Sequence, residues 1–159
     1  MGPDLLHGGT LMILRAGSVA AEHVAGSAPR IEERFGDAAG MTGMGVNVVT
    51  LAPGERSAQK HWHSHSDEFV LVLEGTATVI EDECATEIGP GDMAIWPAGV
   101  TVAHQVVNQG ETPLRYLCAG TNPPAETVRY PDEGETLFLV HPDWHVIGDD
   151  GTIRRSGRE

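Results

Sequence analysis

Between Val46 and Ala119 the chain consists of short apolar runs cut at regular intervals by turn residues. Val46 to Leu51 ends at Pro53-Gly54, Phe69 to Leu73 at Glu74-Gly75, and Ala77 to Ile80 at Glu81-Asp82-Glu83. Ala85 to Ile88 is followed by Gly89-Pro90-Gly91-Asp92, Met93 to Trp96 by Pro97-Ala98-Gly99, and Val102 to Val107 by Asn108-Gln109-Gly110 before Leu114 to Ala119. Such runs are too short for helices, and their bounding Gly, Pro and Asn residues mark them as strands. With no helical period between them, the stretch predicts an all-β sandwich or barrel.

The flanks are less constrained. Residues 1–45 are rich in Gly and Ala and read as an N-terminal extension with one or two strands, one near Thr10 to Arg15. The barrel is expected over 46–120. Beyond it, breaks at Asn122-Pro123-Pro124 and at Pro131 to Gly134 precede an apolar strand, Thr136 to Val140. Residues 121–159 are therefore expected to place a strand or two on the outside of the barrel, ending in a polar tail from Arg154 to Glu159.

A length of 159 residues suits one domain with its own core. The formal charge of -13, from 23 acidic and 10 basic residues, argues against nucleic acid and anionic membrane surfaces, which attract clustered Lys and Arg. Cys84 and Cys118 are the two cysteines, and their separation predicts free thiols in a reducing compartment. Leu11 to Leu14 is stopped by Arg15, too short for a signal core or a membrane span. A soluble cytoplasmic protein is the expectation.

Lys60-His61-Trp62-His63-Ser64-His65-Ser66-Asp67-Glu68 concentrates three of the eight histidines in five residues. On a strand, alternation puts His61 and His63 on one face with Trp62 opposite. Two imidazoles at that spacing can chelate one ion, and a carboxylate added to them is the donor mix of Fe, Mn, Ni or Zn rather than of Mg or Ca. His7, His23, His141 and His145 read as surface or packing residues; Pro142 and the lack of a suitably placed carboxylate argue against a second site at His141 and His145.

The order of these features resembles the cupin superfamily, small jelly-roll barrels of the double-stranded β-helix type. Gly54, His61-x-His63, Glu68 and Gly75 match its first motif, with six residues instead of five after Gly54. Gly91, Pro97-Ala98-Gly99, His104 and Asn108 match the second, with four residues instead of two between Gly99 and His104. The surrounding wording is similar to bacterial single-domain cupins described as sugar-phosphate-isomerase-like. The resemblance implies His61, His63, Glu68 and His104 as ligands of one divalent ion per chain. A rival set replaces His61 by His65, with Asp67 a lesser alternative for the carboxylate; the family's spacing favours the first. Small cupins also often pair, which implies a homodimer.

Three imidazoles and a carboxylate leave open positions on an octahedral ion, suited to polarising a carbonyl or enediol, activating water or oxygen chemistry with iron. Three classes follow: a metal-dependent isomerase or lyase acting on an oxygen-bearing small molecule such as a sugar or sugar phosphate, an Fe(II) dioxygenase, and a non-catalytic ligand-binding barrel. Strand parity makes Val70, Val72, Trp96, Val102 and Val106 the expected pocket lining. Gln105, Tyr116 and Glu55 are the candidate acids or bases. Arg56, Lys60 and Arg115 are the candidate phosphate contacts, although the overall charge disfavours a phosphorylated substrate.

Overall fold

The computed structural model describes residues 4, 5 and 12–158. The expected strand near Thr10 survives as β2 (Met12–Ile13), paired with β1 (Asp4–Leu5); Thr10, Leu11, His7 and Glu159 lie outside the described residues. Next come β3 (Ala21–Val24), β4 (Arg30–Arg34), one short helix α1 (Phe35–Ala38), and β5 (Met44–Leu51). The expected runs become β7 (Glu68–Glu74), β8 (Ala77–Glu81), β9 (Cys84–Ile88), β10 (Met93–Trp96), β11 (His104–Val107) and β12 (Leu114–Thr121), with the two-residue β6 (Trp62–His63) ahead of them. The chain ends with β13 (Ala125–Tyr130), β14 (Glu135–Val140), β15 (Asp143–Gly148) and β16 (Ile153–Arg158).

One antiparallel sheet has the order β10-β7-β12-β5-β4-β3. A second is made of β11-β8-β9 and the five-stranded β16-β15-β14-β13-β6. Backbone bridges of His61 with His104 and of Arg56 with Val107 connect β11 to the segment that leads into β6. The barrel is thus a jelly roll of the double-stranded β-helix type, and its seam runs through two of the candidate ligands.

Side chains from both sheets meet in one core. Val49 and Leu51, Val70 and Val72, Leu114 and Tyr116 from the first sheet pack with Val79 and Val106 from the second. Each fully buried aliphatic here contributes roughly 1.5–3 kcal/mol. Asn108 is completely buried, yet its Nδ2 donates to the carbonyls of Leu51 and Thr112 at 2.9 Å and its Oδ1 accepts from Gly110 N at 3.0 Å. Gly75 needs to be glycine for two reasons: its φ is 81°, and a Cβ would lie 2.7 Å from the Pro113 carbonyl oxygen.

Both flanks hold more structure than their sequences suggested. The described residues before 46 carry four strands rather than one or two, and β5 opens at Met44, two residues before the expected boundary. Strand β4 is obscured by its charge: Arg30, Glu32 and Arg34 recur at every second residue along one face, and Glu32 is buried because Arg30 Nε donates to it at 2.6 Å and Arg34 Nε at 3.2 Å. The C-terminal segment is a four-stranded meander rather than a strand or two, and the supposed tail is its last strand, β16. That polar edge strand is held by its backbone ladder and by ion pairs such as Arg155 with Glu135 at 2.7 Å, which leave no apolar alternation to read. Among the described residues no helix is long and apolar enough to cross a membrane.

Candidate metal centre

Four side chains converge at the seam. His61 and His104 exchange backbone hydrogen bonds, 3.1 Å from His61 N to His104 O and 2.8 Å from His104 N to His61 O. His63 follows two residues later on β6, and Glu68 opens β7 in the facing sheet. One potential ligand atom from each lies within 4.8 Å of the others, the only such group of three or more His, Cys, Asp or Glu among the described residues. Glu68 Oε2 is the hub, 3.1 Å from His63 Nε2, 3.6 Å from His104 Nε2 and 4.0 Å from His61 Nε2.

The surroundings orient the rings. His61 Nδ1 lies 2.7 Å from the Gln59 carbonyl and His104 Nδ1 lies 3.3 Å from the Val102 carbonyl. A carbonyl oxygen only accepts, so both rings carry their proton on Nδ1 and turn the Nε2 lone pair inward. Trp96 stacks on His104, ring centroids 3.9 Å apart, and its Nε1 donates to Glu81 Oε1 at 2.8 Å.

Burial lowers the His61 pKa to about 4, only partly opposed by the attraction of Glu68. The same burial works against the Glu68 charge, but the facing His104, His63 and His61 rings hold its carboxyl well below the usual range. A neutral imidazole beside an ionised carboxylate is a metal ligand's state. His104 Nε2 is buried with no hydrogen-bond partner, an orphan aimed into the cluster. The donor set therefore fits a divalent ion of the Zn, Mn, Fe or Ni class.

His65 and Asp67, the rival ligands, stand outside. The His65 side chain is 64% exposed, and its Nδ1 lies 2.6 Å from Ser64 Oγ. Asp67 Oδ1 accepts from Ala98 N at 2.8 Å, and Gly99 N donates to the His63 carbonyl at 3.0 Å, so the Pro97-Ala98-Gly99 loop braces the histidine strand. His23, His141 and His145 are exposed and lie apart from the cluster.

A cavity of about 130 Å³ is lined by His61, Glu68 and His104 together with Val70, Trp96 and Val106 from the expected lining. Val72 and Val102 do not line it. Val72 packs in the core, and Val102 precedes β11 instead of lying in the strand, which breaks the parity argument. Gln105 and Tyr116 do reach the cavity, and burial pushes the Tyr116 phenol well up, whereas Glu55 is used to accept from Ala52 N at 2.7 Å.

The three expected phosphate contacts are engaged elsewhere. Arg56 bonds the Ser27 carbonyl, Lys60 donates to the Asp82 carbonyl at 2.9 Å, and Arg115 pairs with Glu33 at 2.7 Å. Inside the cavity the cation is Arg30, accompanied by Glu32, both from β4 and both missed by the sequence reading. The two-residue alternation of Arg30 and Glu32 was the available signal. Cys118 also lines the cavity; burial raises its thiol well up, and Sγ donates to Glu68 Oε1 at 3.5 Å. A larger cleft, about 920 Å³, shares Asn47, Glu68 and Cys118 with this cavity and adds His63 and Glu126, giving the cluster a broad approach.

A family model described as Cupin domain matches residues 47–120. A sugar phosphate isomerase from a cupin superfamily of Silicibacter pomeroyi is 33% identical, with a TM-score of 0.81, over 88% of this chain and 94% of that one. A candidate sugar phosphate isomerase from Acidithiobacillus ferrooxidans is 28% identical, with a TM-score of 0.82, over 92% and 97%. The polyketide cyclase RemF from Streptomyces resistomycificus shares the fold at 21% identity, with a TM-score of 0.62, over 76% and 85%. No curated protein matches the chain.

Proposed function

The chain belongs to the cupin superfamily, and from that premise we propose that it is a metal-dependent enzyme of isomerase or lyase type acting on a small oxygen-bearing substrate, a sugar or sugar phosphate included. One observation carries this reading. The cavity bounded by His61, Glu68 and His104 also contains a carboxylate outside the ligand cluster, Glu32, with Arg30 and the Tyr116 phenol.

His61, His63, Glu68 and His104 would hold the ion, which when bound supplies Lewis-acid polarisation of a substrate oxygen. Arg30 holds Glu32 through Nε and the Ala28 carbonyl through Nη1, which leaves Nη2 for an anionic or oxygen-rich group, and the name of the Silicibacter relative supports a phosphate there. Glu32 is the group able to take a proton from the carbon beside a carbonyl. That C–H bond breaks, the proton passes to the Glu32 carboxylate, and the electron pair forms the C=C bond of an enediolate as the carbonyl π pair moves onto oxygen. Return of the proton to the neighbouring carbon, with the hydroxyl proton passing between the two substrate oxygens, yields the isomeric carbonyl compound. Tyr116, whose phenol burial keeps protonated, is a hydrogen-bond donor to those oxygens.

The test is deuterium exchange by NMR, using metal-loaded protein in heavy water with a panel of aldoses, ketoses and their phosphates. Exchange at the carbon beside the carbonyl is expected from the wild type, and Glu32→Gln should slow it at least about 100-fold while keeping its metal. Full metal loading with no exchange in any compound would contradict the proposal.

A further inference from the structure

Two of the three clustered histidines have a backbone carbonyl at Nδ1, and the third does not. His63 Nδ1 is buried without a hydrogen-bond partner, while its Nε2 faces Glu68. Opposite that nitrogen, at 3.7 Å, stands Glu126 Oε2 on β13. We infer that Glu126 is a positioning residue for His63: its carboxylate accepts Nδ1–H, fixes the tautomer and turns the Nε2 lone pair toward the other ligands. The inference rests on reading the cluster as a metal site.

Glu126 is built for this task. Its carboxylate is buried, with the side chain 6% exposed. Oε1 is fully committed to structure, accepting from Ser64 N at 3.0 Å, Ser64 Oγ at 2.7 Å, His65 N at 3.0 Å and Thr127 N at 2.7 Å. Oε2 accepts from Ser66 Oγ and otherwise faces His63. One oxygen therefore ties the turn after β6 to β13, and the other is left for the imidazole. A carboxylate also makes a stronger acceptor than the carbonyls serving His61 and His104, so His63 is the ring held most firmly in its tautomer.

Glu126→Gln separates the two roles. The amide oxygen can keep the four bonds at Oε1, while the NH2 group in place of Oε2 donates and drives the His63 proton to Nε2, where it blocks ligation. Zinc affinity should fall about 10- to 100-fold. Long-range proton–nitrogen spectra of the zinc-loaded wild type should show His63 protonated on Nδ1, and those of Glu126→Gln should show it protonated on Nε2. Ser64→Ala, which loosens the same turn without facing Nδ1, should melt lower but keep the wild-type tautomer and zinc affinity.

Wild-type His63 protonated on Nε2, zinc affinity of Glu126→Gln within about threefold of wild type, or an equal loss in Ser64→Ala would each overturn the inference. If Glu126→Gln does not fold, the wild-type spectrum and Ser64→Ala decide. A wild type that binds zinc but carries the Nε2 proton overturns the role of Glu126 alone. A wild type that binds no zinc overturns the metal site itself, and this inference with it.

Discussion

The indole of Trp96 lies flat on the imidazole of His104, with centroids 3.9 Å apart and planes 6° from parallel. His104 is thereby fixed on its face by Trp96 and on its edge by the Val102 carbonyl. Trp96→Ala removes a buried ring, the stack and the bond to Glu81, and should cost about 3–5 kcal/mol of stability. Thermal melts measure the loss, and zinc titration of the folded fraction should show weaker binding. A variant that binds zinc as the wild type does would show that the stack has no part in orienting His104.

Asn108, matched on sequence to a family motif, has a structural task in this barrel. Its amide satisfies the buried Leu51 carbonyl, the Thr112 carbonyl and the Gly110 N–H between β5 and β12. Asn108→Ala strands those groups and should destabilise by roughly 2–4 kcal/mol, lowering the melting temperature by about 5–12 °C for a chain of this size. Once folded, the variant should load metal normally, because Asn108 is not among the four clustered ligands.

The barrel and the His61–His63 pair were legible in the sequence because their signals are local, whereas Glu68 and His104 joined that pair through the spacing of the cupin motifs. Val46 to Ala119 alternates apolar runs with turn residues, and His61 with His63 needs only strand parity to share a face. The remainder depended on pairing that local patterns do not encode. β4 hides an inward-facing Glu32 because two arginines neutralise it, so the barrel's own cavity residues read as surface. β16 is an exposed polar edge strand, indistinguishable in composition from a tail. Val102 was misjudged for a third reason: β11 opens at His104, and parity does not extend past a strand's end.

The metal-free protein should lose stability in two steps as the pH falls. Burial holds His61 near 4, below its ordinary 6.5, so the unfolded chain takes up that proton first and stability declines from about 6.5 toward 4. Burial alone would raise Glu126, but hydrogen bonds from Ser66, Ser64, His65 N and Thr127 N bring it down to about 2. Its contribution is complete above its ordinary 4.5 and is lost as the pH falls toward 2. Melting temperatures from pH 7 to 3 check both steps, and Glu126→Gln should shrink the lower one, to which the lowered Glu68 carboxyl also contributes. A melting temperature constant from pH 6.5 to 4 would contradict the first.

Strand β10 ends the six-stranded sheet, so among the described residues one of its edges is unpaired, and Met93 and Ile95 project from it exposed. Unpaired edges with apolar side chains favour association. A homodimer through this edge is expected, and Ile95→Glu should shift the sedimentation mass to that of one protomer. A wild type already sedimenting as one protomer would remove the expectation.

The central claim is that His61, His63, Glu68 and His104 hold one ion and that His65 does not. Elemental analysis after zinc loading and gel filtration tests it on the wild type, His61→Ala, His104→Ala and His65→Ala. One zinc per chain is expected in the wild type and in His65→Ala, with almost none in the other two. Equal loss in all three variants, or no zinc in the wild type, would contradict the account.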